Sequence, residues 1–269
     1  MATITKRGAY IWQAKVRRRG YPRISKTFST RPKAERWARM MESEMDDGVF
    51  VSRKEAESTT LEEALERYKK EITPYKKGAK QEANRINQWM KRPLAKLFLS
   101  NIRGQDIAKH RDERLAQGKS PNTVKNELIL LSHLFNTARK EWGMESLQNP
   151  VANVRKPKLP KGRDRRLLKG EEEKLLEHAE DPMDKLIILA IETAMRQGEI
   201  IGLRWENIDL KKRTAFIPDT KNDESRTVPL SLRATKTFKQ MTRQISGEVF
   251  PDLYSSLVSH QFSSVCKSA

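Results

Sequence analysis

The densest group of residues able to do chemistry is Glu192-Thr193-Ala194-Met195-Arg196-Gln197-Gly198-Glu199-Ile200, followed by Leu203-Arg204-Trp205-Glu206-Asn207-Ile208-Asp209-Leu210. Further along stand Thr220-Lys221-Asn222 and Arg226-Thr227-Val228-Pro229-Leu230-Ser231. A guanidinium can donate two hydrogen bonds in a fixed fork to the oxygens of an anion, and an ammonium can carry a proton to an oxygen. Glu199, three residues after Arg196, shares a helix face with it and suits an orienting role better than a reacting one. Taken singly, an arginine at a helix start is ordinarily a surface residue, and Lys221-Asn222-Asp223-Glu224 is ordinarily a solvated hairpin tip. These residues need an anionic partner and a scaffold before they amount to a site.

The whole-chain charge supplies the class of partner. In 269 residues, 54 Lys and Arg oppose 35 Asp and Glu, giving a net charge of +19 and a pI near 10.0, so a polyanion is the first partner to consider. The length suits about two domains at roughly 150 residues each. The longest apolar stretches, such as Leu186 to Ile191, fall far short of the ~20 residues that a membrane span needs. No signal-peptide pattern opens the chain, so a soluble, cytoplasmic protein with no membrane partner is expected. The single cysteine, Cys266, excludes an internal disulfide framework. His110, His133, His178 and His260 are too scattered for zinc-ligand spacing, and no Gly-rich phosphate loop or dinucleotide fingerprint is present. Neither metal nor cofactor is expected. With no His or basic cluster beside it, Cys266 is expected to be semi-buried packing.

The elements that must position these groups fall into three regions, 1–58, 59–154 and 155–269, and their patterns predict an α+β, mainly α fold. The first region reads as a small three-stranded sheet with one helix packed on it. Ala2 to Lys6, Tyr10 to Arg17 and Arg23 to Thr30 are β-like, turned at Gly8 and Gly20-Tyr21-Pro22. Thr30 is the expected N-cap of the helix, with Pro32 in its first turn and Ala34, Trp37, Ala38, Met41 and Met45 at helical spacing before Gly48. Residues 1–40 hold twelve Lys and Arg against Glu35 alone. A β-ribbon can enter a DNA major groove, which makes Lys15, Arg17, Arg18, Arg19 and Arg23 candidate DNA-binding residues; a solvated hairpin face is the bland alternative.

The second region reads as a helical bundle. Thr60 and Glu63 form a capping-box pattern before Leu61, Ala64, Leu65 and Tyr68, while Ala83, Ile86, Trp89 and Met90 line one side of a second helix that ends before Pro93. A third helix is predicted over Gly104 to Ala116. The clearest starts at Ser120-Pro121 and carries Val124, Leu128, Leu131, Phe135, Ala138 and Trp142 toward Gly143 as core. A linker from Asn149 to Arg166 follows, its Pro150, Pro157 and Pro160 discouraging helix and central strand. It holds Arg155, Lys156, Lys158, Lys161, Arg163, Arg165 and Arg166, which could track a phosphate backbone or merely solubilise the linker. The third region predicts helices at Glu171 to Ala179, at Met183 to Ala194 capped by Asp181-Pro182, and at Gly198 to Trp205. Two strands around Thr214 to Ile217 and Arg226 to Leu230 come next, then a helix capped by Ser231 and a last helical stretch toward Ser268.

The motifs quoted first, in that order, resemble the first half of the catalytic domain of the tyrosine recombinases, the phage integrase family. That family's pattern sets an Arg in Thr-Gly-Met-Arg-x-Gly-Glu, follows it with Leu-x-Trp-x-x-Ile-Asp, and places a Lys on a turn ahead of Arg-x-Val-Pro-Leu. The N-terminal sheet and helix look like the arm-type DNA-binding domain of such integrases. The stretch around Asn126-Glu127-Leu128, Leu131-Ser132 and Phe135-Asn136-Thr137-Ala138 is similar to their core-binding domain. The resemblance implies a site-specific DNA recombinase acting through a 3′-phosphotyrosyl intermediate, with a mixed α/β catalytic domain beginning in residues 155–269. It gives Arg196 the oxyanions of the phosphorane and Lys221 the leaving 5′-oxygen as general acid. It also implies double-stranded attachment-site DNA, DNA-bending accessory proteins and a tetramer on DNA as partners, this chain itself being monomeric off DNA. Ala194 stands where Gly is commoner, which bears on backbone freedom rather than on chemistry.

Against that pattern, no His-x-x-Arg follows Lys221 and no terminal helix carries a tyrosine in this sequence. His260 precedes Gln261-Phe262-Ser263 and reads as a helix residue; Tyr254 lies ahead of where the second Arg motif would fall and reads as packing or surface. A chain with Arg196 and Lys221 but no nucleophile should not cleave, because such groups act as a unit. Two expectations follow: an integrase whose C-terminal part lies outside this sequence, or a catalytically inactive, truncated integrase that only binds attachment-site DNA. A transcriptional regulator is a third, with no compact helix-turn-helix pattern to favour it.

Overall fold

The computed structural model describes residues 2–48, 50–162, 164–218 and 225–269. The described residues are mainly helical with two small antiparallel sheets, and the chain divides into two compact units, Met1–Gly162 and Arg163–Ala269. Among the described residues no helix is long and apolar enough to cross a membrane.

The first unit opens with a meander of β1 (Thr3–Gly8), β2 (Ile11–Val16) and β3 (Ile24–Phe28), in that order across the sheet. The period-2 alternation of strands puts Ala14 and Val16 wholly inside, against Ala34, Ala38, Met41 and Met45 of α1 (Arg31–Asp46). The register pairs Gln13 with Thr5 and Thr27, and Lys15 with Thr3 and Ser25, so the opposite face of the sheet is polar. Thr30 occupies the N-cap position of α1 as expected, but its side chain makes no capping hydrogen bond.

A short helix that the sequence pattern did not suggest, α2 (Lys54–Ser58), leads into the bundle. Its main helices are α3 (Leu61–Glu71), α4 (Ala79–Met90), α5 (Gly104–Ala116) and α6 (Pro121–Glu141). The capping box at α3 is complete: the Glu63 N–H donates to Thr60 Oγ1 at 3.2 Å, and the Thr60 N–H donates to the Glu63 carboxylate at 2.7 Å. Ser120 caps α6 by accepting from the Thr123 N–H. Leu61, Leu65, Tyr68, Ile86, Trp89, Leu128, Leu131 and Phe135 form the centre of the bundle.

One group in that core is not apolar. Glu127, on the inner face of α6, is 5 % exposed. Arg114 grips its carboxylate with a fork, Nη2 to Oε1 at 2.8 Å and Nε to Oε2 at 3.2 Å, while His110 Nε2 lies 3.0 Å from Oε2 and Arg92 Nη2 3.4 Å from Oε1. His110 Nδ1 lies 2.8 Å from Arg92 Nη1, and Trp89 stacks on both the imidazole and the Arg92 guanidinium. The same Arg92 Nη1 lies 2.8 Å from His110 Nε2 as well, so the guanidinium covers both ring nitrogens. Burial, aided by the two arginines and opposed by Glu127, holds the His110 pKa below its ordinary value. For Glu127 burial acts to raise the pKa, but the hydrogen bonds from His110 and Arg114 and the charges of Arg92 and Arg114 prevail and bring it down to about 2.

The second unit contains α7 (Glu171–Glu177), α8 (Met183–Thr193), α9 (Gln197–Ile201), the sheet β4 (Ile208–Asp209), β5 (Thr214–Ile217) and β6 (Arg226–Pro229), then α10 (Leu232–Gln240) and α11 (Ser255–Ser268). Leu186, Leu189, Ile200, Leu203, Ala215, Ile217 and Phe238 are its core, and Trp205 meets Phe238 edge-on at 6.0 Å. Arg233 on α10 pairs with Glu172 of α7 and, at 3.4 Å, with Glu192 of α8. Three expectations need correcting. The helix expected over Gly198 to Trp205 ends at Ile201, and Trp205–Asn207 is a separate 3₁₀ turn that sinks Trp205 into the core. Pro182, not Asp181, is the N-cap residue of α8, and Asp181 pairs instead with Lys185. Cys266 is exposed rather than semi-buried, because α11 turns Val258 and Val265 inward and the residue after Val265 points away from the core.

Two outcomes are expected. Because the Glu127 pKa is depressed from 4.5 in the folded state, its contribution is fully present above about pH 5 and is lost as pH falls toward 2, at a cost of about 3 kcal/mol; the depressed His110 pKa acts in the same direction below about 6.5. Urea titrations of the full chain at a series of pH values, read by hydrogen exchange in α5 and α6, should show this acid weakening, and Glu127→Ala should lower stability by about 3–5 kcal/mol at neutral pH. Ala194, which ends α8 in the left-handed region (φ 51°), should be stabilised by replacement with Gly by up to about 1 kcal/mol, measured as a raised urea midpoint.

Candidate functional site

The left-handed turn at Ala194 ends α8 and redirects the chain; Met195 is then buried as an anchor, and Arg196 follows in extended backbone at the N-cap position of α9. Three residues on, the Glu199 side chain is 6 % exposed. It accepts from the Arg196 N–H at 2.9 Å, from Arg196 Nη1 at 2.8 Å and from Arg226 Nη2, at the start of β6, at 2.7 Å. The burial of Glu199 pushes its pKa up, but the hydrogen bonds from Arg196 and the charges of Arg226 and Arg196 outweigh it, leaving a carboxylate held below its ordinary range. Glu199 is therefore an ionised brace that accepts three hydrogen bonds. It is no candidate for a general acid near neutral pH.

Above this brace the two guanidiniums remain open to solvent, Arg196 at 53 % and Arg226 at 39 % of the side chain. Two positive charges facing one negative charge leave an excess of one, on fork-shaped donors suited to an oxyanion. Arg196 and Glu199 are thus brought together, and Arg226 joins them although the sequence reading gave it no role. The signal was its place in Arg226-Thr227-Val228-Pro229-Leu230, which reads as strand and so lends itself to a packing explanation first. Lys221, with its neighbours Thr220 and Asn222, lies outside the described residues, as does Arg163. Among the described residues no three His, Cys, Asp or Glu side chains come together to hold a metal ion.

The basic candidates of the first unit are distributed unevenly. Lys15 is half-buried on the polar face of the sheet, opposite Thr3 and Ser25; Arg17, Arg19 and Arg23 are exposed around the turn beyond β2. Arg18 is drawn to Asp46 at the end of α1. Arg7, which the sequence reading left out, belongs to the polar face as well, since its Nε donates to Gln13 Oε1 at 3.1 Å; the step of two from Thr3 and Thr5 was the signal for it. In the proline-spaced segment Arg155, Lys156, Lys158 and Lys161 are exposed, the Arg155 carbonyl accepting from Arg111 Nη1 at 2.8 Å. Arg165 is exposed and paired with Glu171, at the start of α7. His260 and Tyr254 are both exposed, on α11 and at its N-cap position.

Comparison with known proteins gives the family of the chain. The sequence profile described as "Phage integrase family" matches residues 165–264, and "Phage integrase, N-terminal domain" matches residues 57–158. A shufflon-specific DNA recombinase of Escherichia coli is 47% identical over 201 residues, covering 71% of this chain and 52% of that protein, so the chain spans about half the length of this relative. A protein of Haemophilus influenzae described as "Putative integrase/recombinase" is 38% identical over 255 residues, covering 90% of this chain and 68% of its own length. In fold, the chain is similar to a lambda integrase solved as a tetramer bound to a Holliday junction, with a TM-score of 0.65 at 21% identity over 98% of this chain and 83% of that one. The chain belongs to the phage integrase family, the tyrosine recombinases.

Proposed function

We propose that this chain serves site-specific DNA recombination, binding attachment-site duplex DNA and presenting Arg196 to the phosphate at which strands are cut and rejoined. The observation that carries the reading is the buried Glu199 carboxylate fixing Arg196 in place while leaving its guanidinium exposed. In a phosphotyrosyl mechanism a tyrosine hydroxyl attacks the scissile phosphorus, the 5′-oxygen leaves, and the 3′-phosphotyrosyl bond conserves the energy needed to rejoin. Charge on the phosphoryl oxygens grows toward the transition state, which an arginine already held by Glu199 meets without reorganising. Lys221 supplies the proton to the leaving 5′-oxygen in this reading. The nucleophile is not among the tyrosines of this sequence; Tyr254 keeps its surface role.

Residues 1–58 act here as an arm-type DNA-binding domain whose polar sheet face, with Lys15 and its neighbours Arg17, Arg19 and Arg23, enters a major groove, Arg18 lying beside them paired with Asp46. Residues 59–154 are the core-binding domain, and the segment carrying Arg155, Lys156, Lys158, Lys161, Arg163 and Arg165 tracks phosphates on the way to the catalytic residues of 155–269. The relation to a lambda integrase that was solved as a tetramer on a Holliday junction supports assembly on DNA as the working form. DNA-bending accessory proteins and a cytoplasmic location complete the reading.

Two measurements test it. Binding to duplex DNA should weaken steeply with salt, the slope of log K against log[salt] falling by about 1 for each phosphate contact removed, so Lys158→Ala and Lys161→Ala together should cut the slope by about 2. A slope that does not change would remove the segment from the interface. Incubated with a nicked attachment-site duplex that traps covalent intermediates, the chain should bind and yield no adduct on a denaturing gel. A stable adduct would show that one of its own tyrosines is the nucleophile.

A further inference from the structure

We infer that Arg226 is a second phosphate-contacting guanidinium, sharing with Arg196 the oxygens of one DNA phosphate; this rests on the reading of Arg196 as a phosphate ligand. Each oxygen of Glu199 takes the guanidinium of a different arginine, Oε1 that of Arg196 through Nη1 at 2.8 Å and Oε2, which also accepts the Arg196 backbone N–H, that of Arg226 through Nη2 at 2.7 Å. The two guanidiniums are thereby fixed side by side, at a spacing set by a carboxylate, within reach of a single tetrahedral anion. The two residues come from separate elements, the start of α9 and the start of β6, 27 positions apart in sequence. Only the tertiary fold brings them to the same carboxylate.

Charge favours this role over simple neutralisation of Glu199. Arg196 alone already balances that carboxylate; adding Arg226 leaves a net positive charge, which matches the single charge of a phosphodiester. The negative group lies underneath, 6 % exposed, and the positive groups lie above it, so an approaching anion meets donors first. On Glu199 each side chain spends one guanidinium N–H of its five, while the side chains stay 53 % and 39 % exposed.

The test begins with the full chain selecting its own duplex from a randomised library. Every phosphate of that duplex is then replaced singly by a methylphosphonate, which keeps the linkage and removes its charge. At one phosphate the replacement should weaken the unaltered chain by about tenfold or more. Arg196→Gln and Arg226→Gln, each weaker on the natural duplex by a similar factor, should lose little further at that same position. The Arg196 Nε–Hε NMR resonance should stay in place in Arg226→Gln, tying the coupling to Arg226 itself; if it moves to its position in Glu199→Gln, Arg226 acts only by bracing Glu199 and the inference is overturned. It is equally overturned if Arg226→Gln is additive with every replacement while Arg196→Gln couples to one, and the reading of Arg196 then stands. If neither variant couples at any phosphate, the reading of Arg196 fails and this inference with it.

Discussion

A carboxylate withdrawn from water between two arginines is the constraint on which the second unit is organised. Desolvating Glu199 is unfavourable in itself, and it is tolerated because three hydrogen bonds from charged or backbone donors replace the lost water. Those bonds demand that α9 start where it does. That in turn demands the left-handed residue at Ala194, the buried Met195 and the packing of α8 against the rest of the core. Moving any of these by one residue would separate the carboxylate from its partners.

The first unit contains the same chemistry used to a different end. Glu127 is also a buried glutamate gripped by two arginines, but there Arg92 and Arg114 are themselves only 16% and 18% exposed, and His110 and Trp89 close the remaining side. Its cations are spent on the bundle, tying α5 and the turn after α4 to α6. Around Glu199 the arginines stand at 53% and 39%, with edges left for an external anion. Exposure of the cations, rather than burial of the carboxylate, separates a structural ion network from a candidate binding site.

The surplus of positive charge has a comparable division of labour. A sheet needs one apolar face to pack, so the alternation that buries Ala14 and Val16 sends Gln13 and Lys15 outward among threonines and serine. That outer face mixes short hydroxyl and amide donors with cations, which suits contact with base edges and phosphates together. Arg18, by contrast, closes onto Asp46 and fastens the sheet to its helix. A count of basic residues does not distinguish the two uses.

Much of this was legible in the chain itself. Periodicities of 2 and 3.6, caps at Thr60, Ser120 and Ser231, and glycines at turns depend on neighbours within a few residues, so the element order could be read directly, and the family motifs singled out Arg196, Glu199 and Lys221 as candidates. Boundaries that depend on packing could not be read: Trp205 leaves the helix because the core claims its ring, and Cys266 faces out because Val265 faces in. The partner of Glu199 at position 226 and the partners of Glu127 at positions 92, 110 and 114 belonged to the tertiary structure alone. Ion pairs between distant segments carry no local periodicity. Only the three-dimensional packing decides which charges are desolvated together, and therefore which arginines are spent on the fold and which are kept for a ligand.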